Sequence, residues 1–98
     1  MIRNVVMGTV RDGVTAEQLE QALTAIQQLR VDGVELRTAL GPDLGLREGN
    51  AAFAITVDLV DEDAYRRYDL DEEHNRIRRE LFAPIAASIQ RVQFHIPD

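Results

Sequence analysis

The sequence predicts an α+β domain in which four antiparallel strands and two helical layers follow one another in the order β-α-β-β-α-β. Three observations carry that prediction. Apolar residues alternate with small or polar ones over Phe53–Leu59, and again through Val92, Phe94 and Ile96, with the period of two that belongs to a strand. Leu19, Ala22, Leu23, Ile26 and Leu29 recur with the period of an amphipathic helix. Gly- and Pro-containing turn signals at Asp12-Gly13, Asp32-Gly33, Gly41-Pro42-Asp43 and Gly49-Asn50 separate these segments.

Ile2–Val10 reads as the first strand. Ile2, Val6 and Val10 fall on one side and Val5 and Met7 on the other, so both faces carry apolar groups, as in a central strand. Thr15 is a good N-cap for the first helix, with Gln18 at the N3 position to complete a capping box. Asp32-Gly33 is expected to stop that helix. Residues 34–40 form the second strand, in which Val34, Leu36 and Leu40 alternate with Glu35, Arg37 and Ala39, and Gly41-Pro42-Asp43 is expected to break it. The third strand sets Phe53, Ile55, Val57 and Leu59 against Ala54, Thr56 and Asp58. Asp61 is placed to cap a short helix carrying Ala64, Tyr65 and Tyr68. A second helical stretch is expected over residues 72–87, with His74, Ile77, Leu81 and Ile85 on one face and a kink at Pro84, which lacks an N–H. The last strand, residues 89–96, sets Val92, Phe94 and Ile96 against Arg91, Gln93 and His95. This order gives a ferredoxin-like fold, one domain over residues 1–98, with the helices on one face of the sheet.

Two helical segments cover only one face of four strands. Val92, Phe94 and Ile96 are expected to join Phe53, Ile55, Val57 and Leu59 under the helices. Ile89, Arg91, Gln93 and His95 are then left on the open face with Ala52, Ala54, Thr56 and Asp58. The first strand adds apolar groups to that open face. Covering it with a second copy of the chain, sheet to sheet, predicts a homodimer.

Composition narrows the function classes. The 98 residues are 45% apolar and carry a net charge of -6; arginine supplies every basic side chain. An acidic chain repels phosphate backbones, so no nucleic-acid partner is expected. No apolar run reaches the ~18–20 residues that span a bilayer, so no membrane partner is expected either. The absence of cysteine and of a recognisable signal peptide predicts a cytoplasmic location. No phosphate-binding glycine loop, nucleophile elbow or helical His pair for a metal is present, and no cofactor or metal is expected. Asp43 and Glu48 in the central loop are available to a cation, although turn chemistry explains them equally well. His95 reads as a polar rim residue.

One constellation stands out. Tyr68 and His74 lie six residues apart around Asp69-Leu70-Asp71-Glu72-Glu73. The phenol stays protonated at neutral pH, while a histidine titrates near ~6.5, so the pair offers a hydrogen-bond donor and a base. His74 shares its helix face with Ile77 and Leu81 and is expected to point inward. A satisfied core histidine beside a packed tyrosine would give the same pattern.

The chain resembles the stress-responsive A/B barrel (Dabb) family of the dimeric α/β-barrel superfamily. The resemblance covers essentially the whole chain. It is carried by Met1-Ile-Arg-Asn-Val-Val-Met, Asp12-Gly13-Val14-Thr15, the loop from Gly41 to Asn50, Ala64-Tyr65-Arg66-Arg67-Tyr68 with His74, Leu81-Phe82-Ala83-Pro84-Ile85-Ala86-Ala87-Ser88 and Val92-Gln93-Phe94. It implies that two chains close their sheets into a dimeric α/β barrel. One family member is a cofactor-independent polyketide cyclase that uses a Tyr and a His at this same separation. The resemblance therefore implies catalytic roles for Tyr68 and His74. It also implies a binding pocket lined by Asn4, Phe53, Ile77 and Leu81, and a small aromatic or polyketide-like ligand. Asn4 and Phe53 stand where relatives carry histidine. Two readings follow: a cyclase- or isomerase-like enzyme, or a non-catalytic stress-response or structural dimer. An enzyme needs space at His74, whereas a structural protein packs that space full.

Overall fold

Strict alternation makes the third strand the centre of the core. Phe53, Ile55, Val57 and Leu59 are all buried, and burial of each such side chain stabilises by about 1.5–3 kcal/mol. A computed structural model describes residues 1–98. It comprises β1 (Ile2–Val10), α1 (Ala16–Gln28), β2 (Arg37–Pro42), β3 (Phe53–Leu59), α2 (Glu62–Leu70), α3 (Glu72–Ile77), a π-helical turn over Arg78–Phe82, and β4 (Ala86–His95). The sheet order is β2-β3-β1-β4 with every pairing antiparallel. The helices lie on one face, and the predicted ferredoxin-like arrangement is the one observed.

The first helix starts where the local code places it. Thr15 Oγ1 accepts from the Gln18 amide at 3.1 Å, and the Gln18 side chain accepts from the Thr15 amide at 2.8 Å. Its end differs. The helix stops at Gln28, and Leu29 reaches the core from an extended backbone. A tight Val31–Val34 bridge follows, turned by Gly33 at φ 72°. The second strand also differs, beginning at Arg37 and running through Gly41 and Pro42. Proline is tolerated there because β2 is an edge strand with one side free of ladder bonds.

The helical stretch expected over residues 72–87 is shorter. It ends at Phe82, and Ala86 and Ala87 already belong to β4. Pro84 lies in the turn that follows and kinks nothing. Within Arg78–Phe82 the Ala83 amide bonds the Arg78 carbonyl, five residues back, at 2.9 Å. The wider turn advances the buried face by one residue. Phe82 is therefore buried where α periodicity assigns Leu81.

β4 departs most from the expected arrangement. Asn4 pairs with Gln93 and Val6 with Arg91, whereas Val5 pairs with Val92 and Arg3 with Phe94. Directly opposed residues share a face. Hence Ile89, Arg91, Gln93 and His95 lie on the helix side, and Val92 and Phe94 lie on the open side. Alternation fixes which residues share a face but not which face that is, and here the pairing with β1 decides. The open face is consequently more apolar than expected. Met7, Val92 and Phe94 stand 48%, 55% and 46% exposed beside Val5. Its other half carries an ion pair, with Arg3 donating to both Asp58 oxygens at 2.8 and 2.9 Å.

Candidate functional site

The site is built on the joint between α2 and α3. Asp71 both ends α2 and caps α3: its amide donates to the Tyr68 carbonyl at 3.3 Å, and its carboxylate accepts from the His74 amide at 2.9 Å. That cap fixes His74 in the first turn of α3, facing back along the chain. The Asn75 side chain also donates to the carbonyls of Asp69 and Asp71, tying the joint together. His74 Nδ1 lies 2.9 Å from the Tyr68 carbonyl oxygen. A carbonyl only accepts, so Nδ1 carries the proton, and Nε2 of the neutral ring keeps its lone pair. The two rings stack with centroids 4.1 Å apart at 26°.

Both residues are buried, yet neither is closed off. Tyr68 Oη and His74 Nε2 have no partner within the chain, and no polar side-chain atom that is sealed from solvent lacks a hydrogen bond. Both residues border a cavity of ≈ 240 Å³ between α2, α3 and the helix side of β1 and β4. Asn4 borders it too. Its Oδ1 accepts from Gln93 at 2.7 Å, which leaves its NH2 group for the cavity. Val6, Ile55 and Phe82 supply apolar wall, and Asp69, Arg78 and Arg91 supply charge.

Burial sets the electrostatics. It pushes the Tyr68 phenol up to about 12, with Arg78 opposing. Burial also holds His74 below the ordinary histidine value, against the bond to the Tyr68 carbonyl. Tyr65, on the same side of α2, is raised by burial and then by Asp69. At neutral pH the cavity thus contains an uncharged imidazole with a free Nε2 and a protonated phenol. That combination can remove a proton next to a carbonyl and hydrogen-bond the carbonyl oxygen.

Three of the six residues singled out in the sequence meet here: Tyr68, His74 and Asn4. The others do not line the cavity. Phe53 packs against Phe82, with ring centroids 5.7 Å apart, in the core behind it. Ile77 is buried in the core. Leu81 is half-buried and borders a groove beside Ala25 and Gln28 of α1, because the π-turn rotates it off the His74 face. The sequence reading missed Tyr65, Arg78 and Arg91. Tyr65 is three residues before Tyr68, and Arg78 is four after His74, both same-face helical spacings. Arg91 follows only from the register of β4. Asp43 is occupied in closing its loop, accepting from the Gly45 amide at 2.9 Å and from Asn50 at 3.0 Å. No cluster of three or more His, Asp or Glu side chains is placed to hold a metal ion. No helix is long and apolar enough to cross a membrane.

No family model and no curated protein matches the chain. Solved structures do. A dimeric ferredoxin-like protein of unknown function from Thermobifida fusca is 35% identical, with 97% of this chain and 90% of that chain covered and a TM-score of 0.87. A Dabb family protein with a ferredoxin-like fold from Mesorhizobium loti is 16% identical, with coverages of 99% and 97% and a TM-score of 0.78. A hydroxynitrile lyase from Passiflora edulis is 16% identical, with coverages of 99% and 94% and a TM-score of 0.81.

Proposed function

The chain belongs to the family of dimeric ferredoxin-like proteins that includes the Dabb proteins, and from that premise we propose that it is a single-domain homodimer that binds a small carbonyl compound beside His74. The open face supports the dimer. Met7, Val92 and Phe94 form an apolar strip on the central and edge strands, and an isologous contact would cover it twice with one surface. The Thermobifida relative is described as dimeric. The lack of cysteine fits a reducing, cytoplasmic setting.

Within the cavity, the proposed chemistry is cofactor-independent proton transfer of the cyclase or isomerase kind. His74 Nε2 takes the proton from carbon next to a carbonyl, and Tyr68 Oη donates a hydrogen bond to the oxygen on which charge gathers. In an isomerase the proton returns at a second carbon. In a cyclase the enolate carbon bonds a second carbonyl of the same molecule, and His74 delivers the proton to the new alkoxide. One observation carries this reading: a lone-pair nitrogen and a protonated phenol border the same cavity with no partner inside the chain. A neighbour that shares the fold is a hydroxynitrile lyase, so the architecture accommodates lyase chemistry.

The test is a screen of small aromatic and polyketide-like carbonyl compounds, followed through the His74 ring signals and through conversion of the compound, with His74→Ala as control. Shifts at His74 with turnover that His74→Ala abolishes support the enzyme. A ring that no compound perturbs tells against it. The second reading, a non-catalytic structural dimer, draws on the Tyr68–His74 stack, which a packed core would also use.

A further inference from the structure

We propose that the ligand of the His74 cavity is an anion, a carbonyl compound whose carboxylate is held at the cavity mouth by Arg91 with Arg78. This rests on the small-molecule reading and adds the charge of the ligand to it. In a chain with 17 acidic side chains against 11 arginines, cations find partners easily. Arg3, Arg37, Arg66, Arg76, Arg78 and Arg79 each lie within 4.0 Å of a carboxylate. Arg11, Arg30 and Arg67 donate to backbone carbonyls. That leaves Arg47 and Arg91 without a partner. Both are exposed; Arg47 sits in the central loop away from the site, and Arg91 borders the cavity.

The cavity's own charges do not balance. Its only acidic lining residue, Asp69, is already engaged by Arg78 at 3.1 Å. The imidazole of His74 is uncharged at neutral pH. One positive charge is therefore left facing the cavity of a strongly acidic protein. A guanidinium presents a planar fork that matches a carboxylate in a bidentate, charge-assisted pair. Arg91 stands opposite Val6 in the strand ladder, on the helix side, while His74 and Tyr68 come from the helices above. A ligand can thus set its carboxylate on β4 and its carbonyl against the imidazole and phenol. An apolar cavity of about 150 Å³ accommodates benzene, so ≈ 240 Å³ suits one ring or a short oxo chain with an acid group. The apolar wall explains why a bare inorganic anion would be a poor fit.

The experiment compares benzoate with benzamide, its neutral counterpart of similar shape, on the intact protein at about pH 7.5, where His74 is neutral. NMR titrations follow the His74 ring. The expected result is that both perturb the ring, that benzoate binds about tenfold or more tightly, and that Arg91→Gln removes this preference while benzamide binding is unchanged. Unchanged benzamide binding also shows that the variant is folded. Arg91→Lys, which keeps the charge and loses the fork, should retain part of the preference. Equal affinity for the two probes overturns the anion inference and leaves the small-molecule reading standing. A benzoate preference that survives both Arg91→Gln and Arg78→Gln overturns it as well. If neither probe perturbs His74, both readings fall together.

Discussion

Replacing Tyr68 by phenylalanine should flatten the alkaline limb of the protein's stability profile. Burial holds the phenol at about 12, against about 10 in an unfolded chain. Below about pH 10 both states keep the proton, so the phenol contributes no pH dependence. Above it, the unfolded chain releases a proton that the folded protein retains, and stability falls as pH rises towards the folded value. The full loss is two pKa units, about 2.7 kcal/mol, and half of it, about 1.4 kcal/mol, has accumulated by about pH 11. Tyr68→Phe removes this term. The hydroxyl has no partner within the chain, so the substitution should change stability near neutrality by less than about 1 kcal/mol. Urea unfolding at about pH 9 and about pH 11, at one protomer concentration, measures both quantities. Tyr65 is also raised, but it contributes to both proteins and cancels. If wild type and Tyr68→Phe lose the same stability over that interval, the phenol titrates alike in the folded and unfolded chain and is not desolvated in the cavity.

Three further outcomes are expected. Nitrogen-15 spectra of His74 should show the Nδ1-protonated neutral form at neutral pH, with a midpoint below about 6.5; stability should then fall as pH drops below that value, because the unfolded chain takes up a proton first. Gly8→Ala should cost about 1–3 kcal/mol in urea unfolding, since a Cβ there would clash with the Ser88 carbonyl and lie 2.9 Å from Phe53 Cζ. Val92→Asp, on the open face, should weaken the dimer by about tenfold per copy in sedimentation velocity, without loss of helical circular dichroism; an unchanged dimer would place the interface elsewhere.

What the sequence disclosed depended on how local its signals are. The Thr15–Gln18 box is written within four residues and is found as expected. The alternation of β3 likewise needs no knowledge of its neighbours. The faces of Val92 and Phe94 depended on the register with β1, which no pattern inside β4 reveals. The five-residue turn after α3 was invisible for a related reason. Nothing in Arg78-Arg79-Glu80-Leu81-Phe82 marks it, and α periodicity therefore selected Leu81 over Phe82. For the site, Tyr68 and His74 stood out by spacing, and Asn4 through the resemblance. Arg91 joined them only through the sheet.

That five-residue turn separates two demands on the same stretch of chain. Each α-helical residue turns the backbone by about 100°. Deleting Arg79 would let the segment close as ordinary α-helix, and Phe82 would then follow Ile77 at four residues, still on the buried face. The core would keep its apolar side chains. The positions of Phe82 and Ala83 in the cavity wall would change, because the wide turn that sets them would be gone. The expectation is that the additional residue matters less to folding than to the shape of the cavity. A shortened chain that folds yet no longer admits a ring beside His74 would separate the foldable scaffold from the working pocket at a single codon.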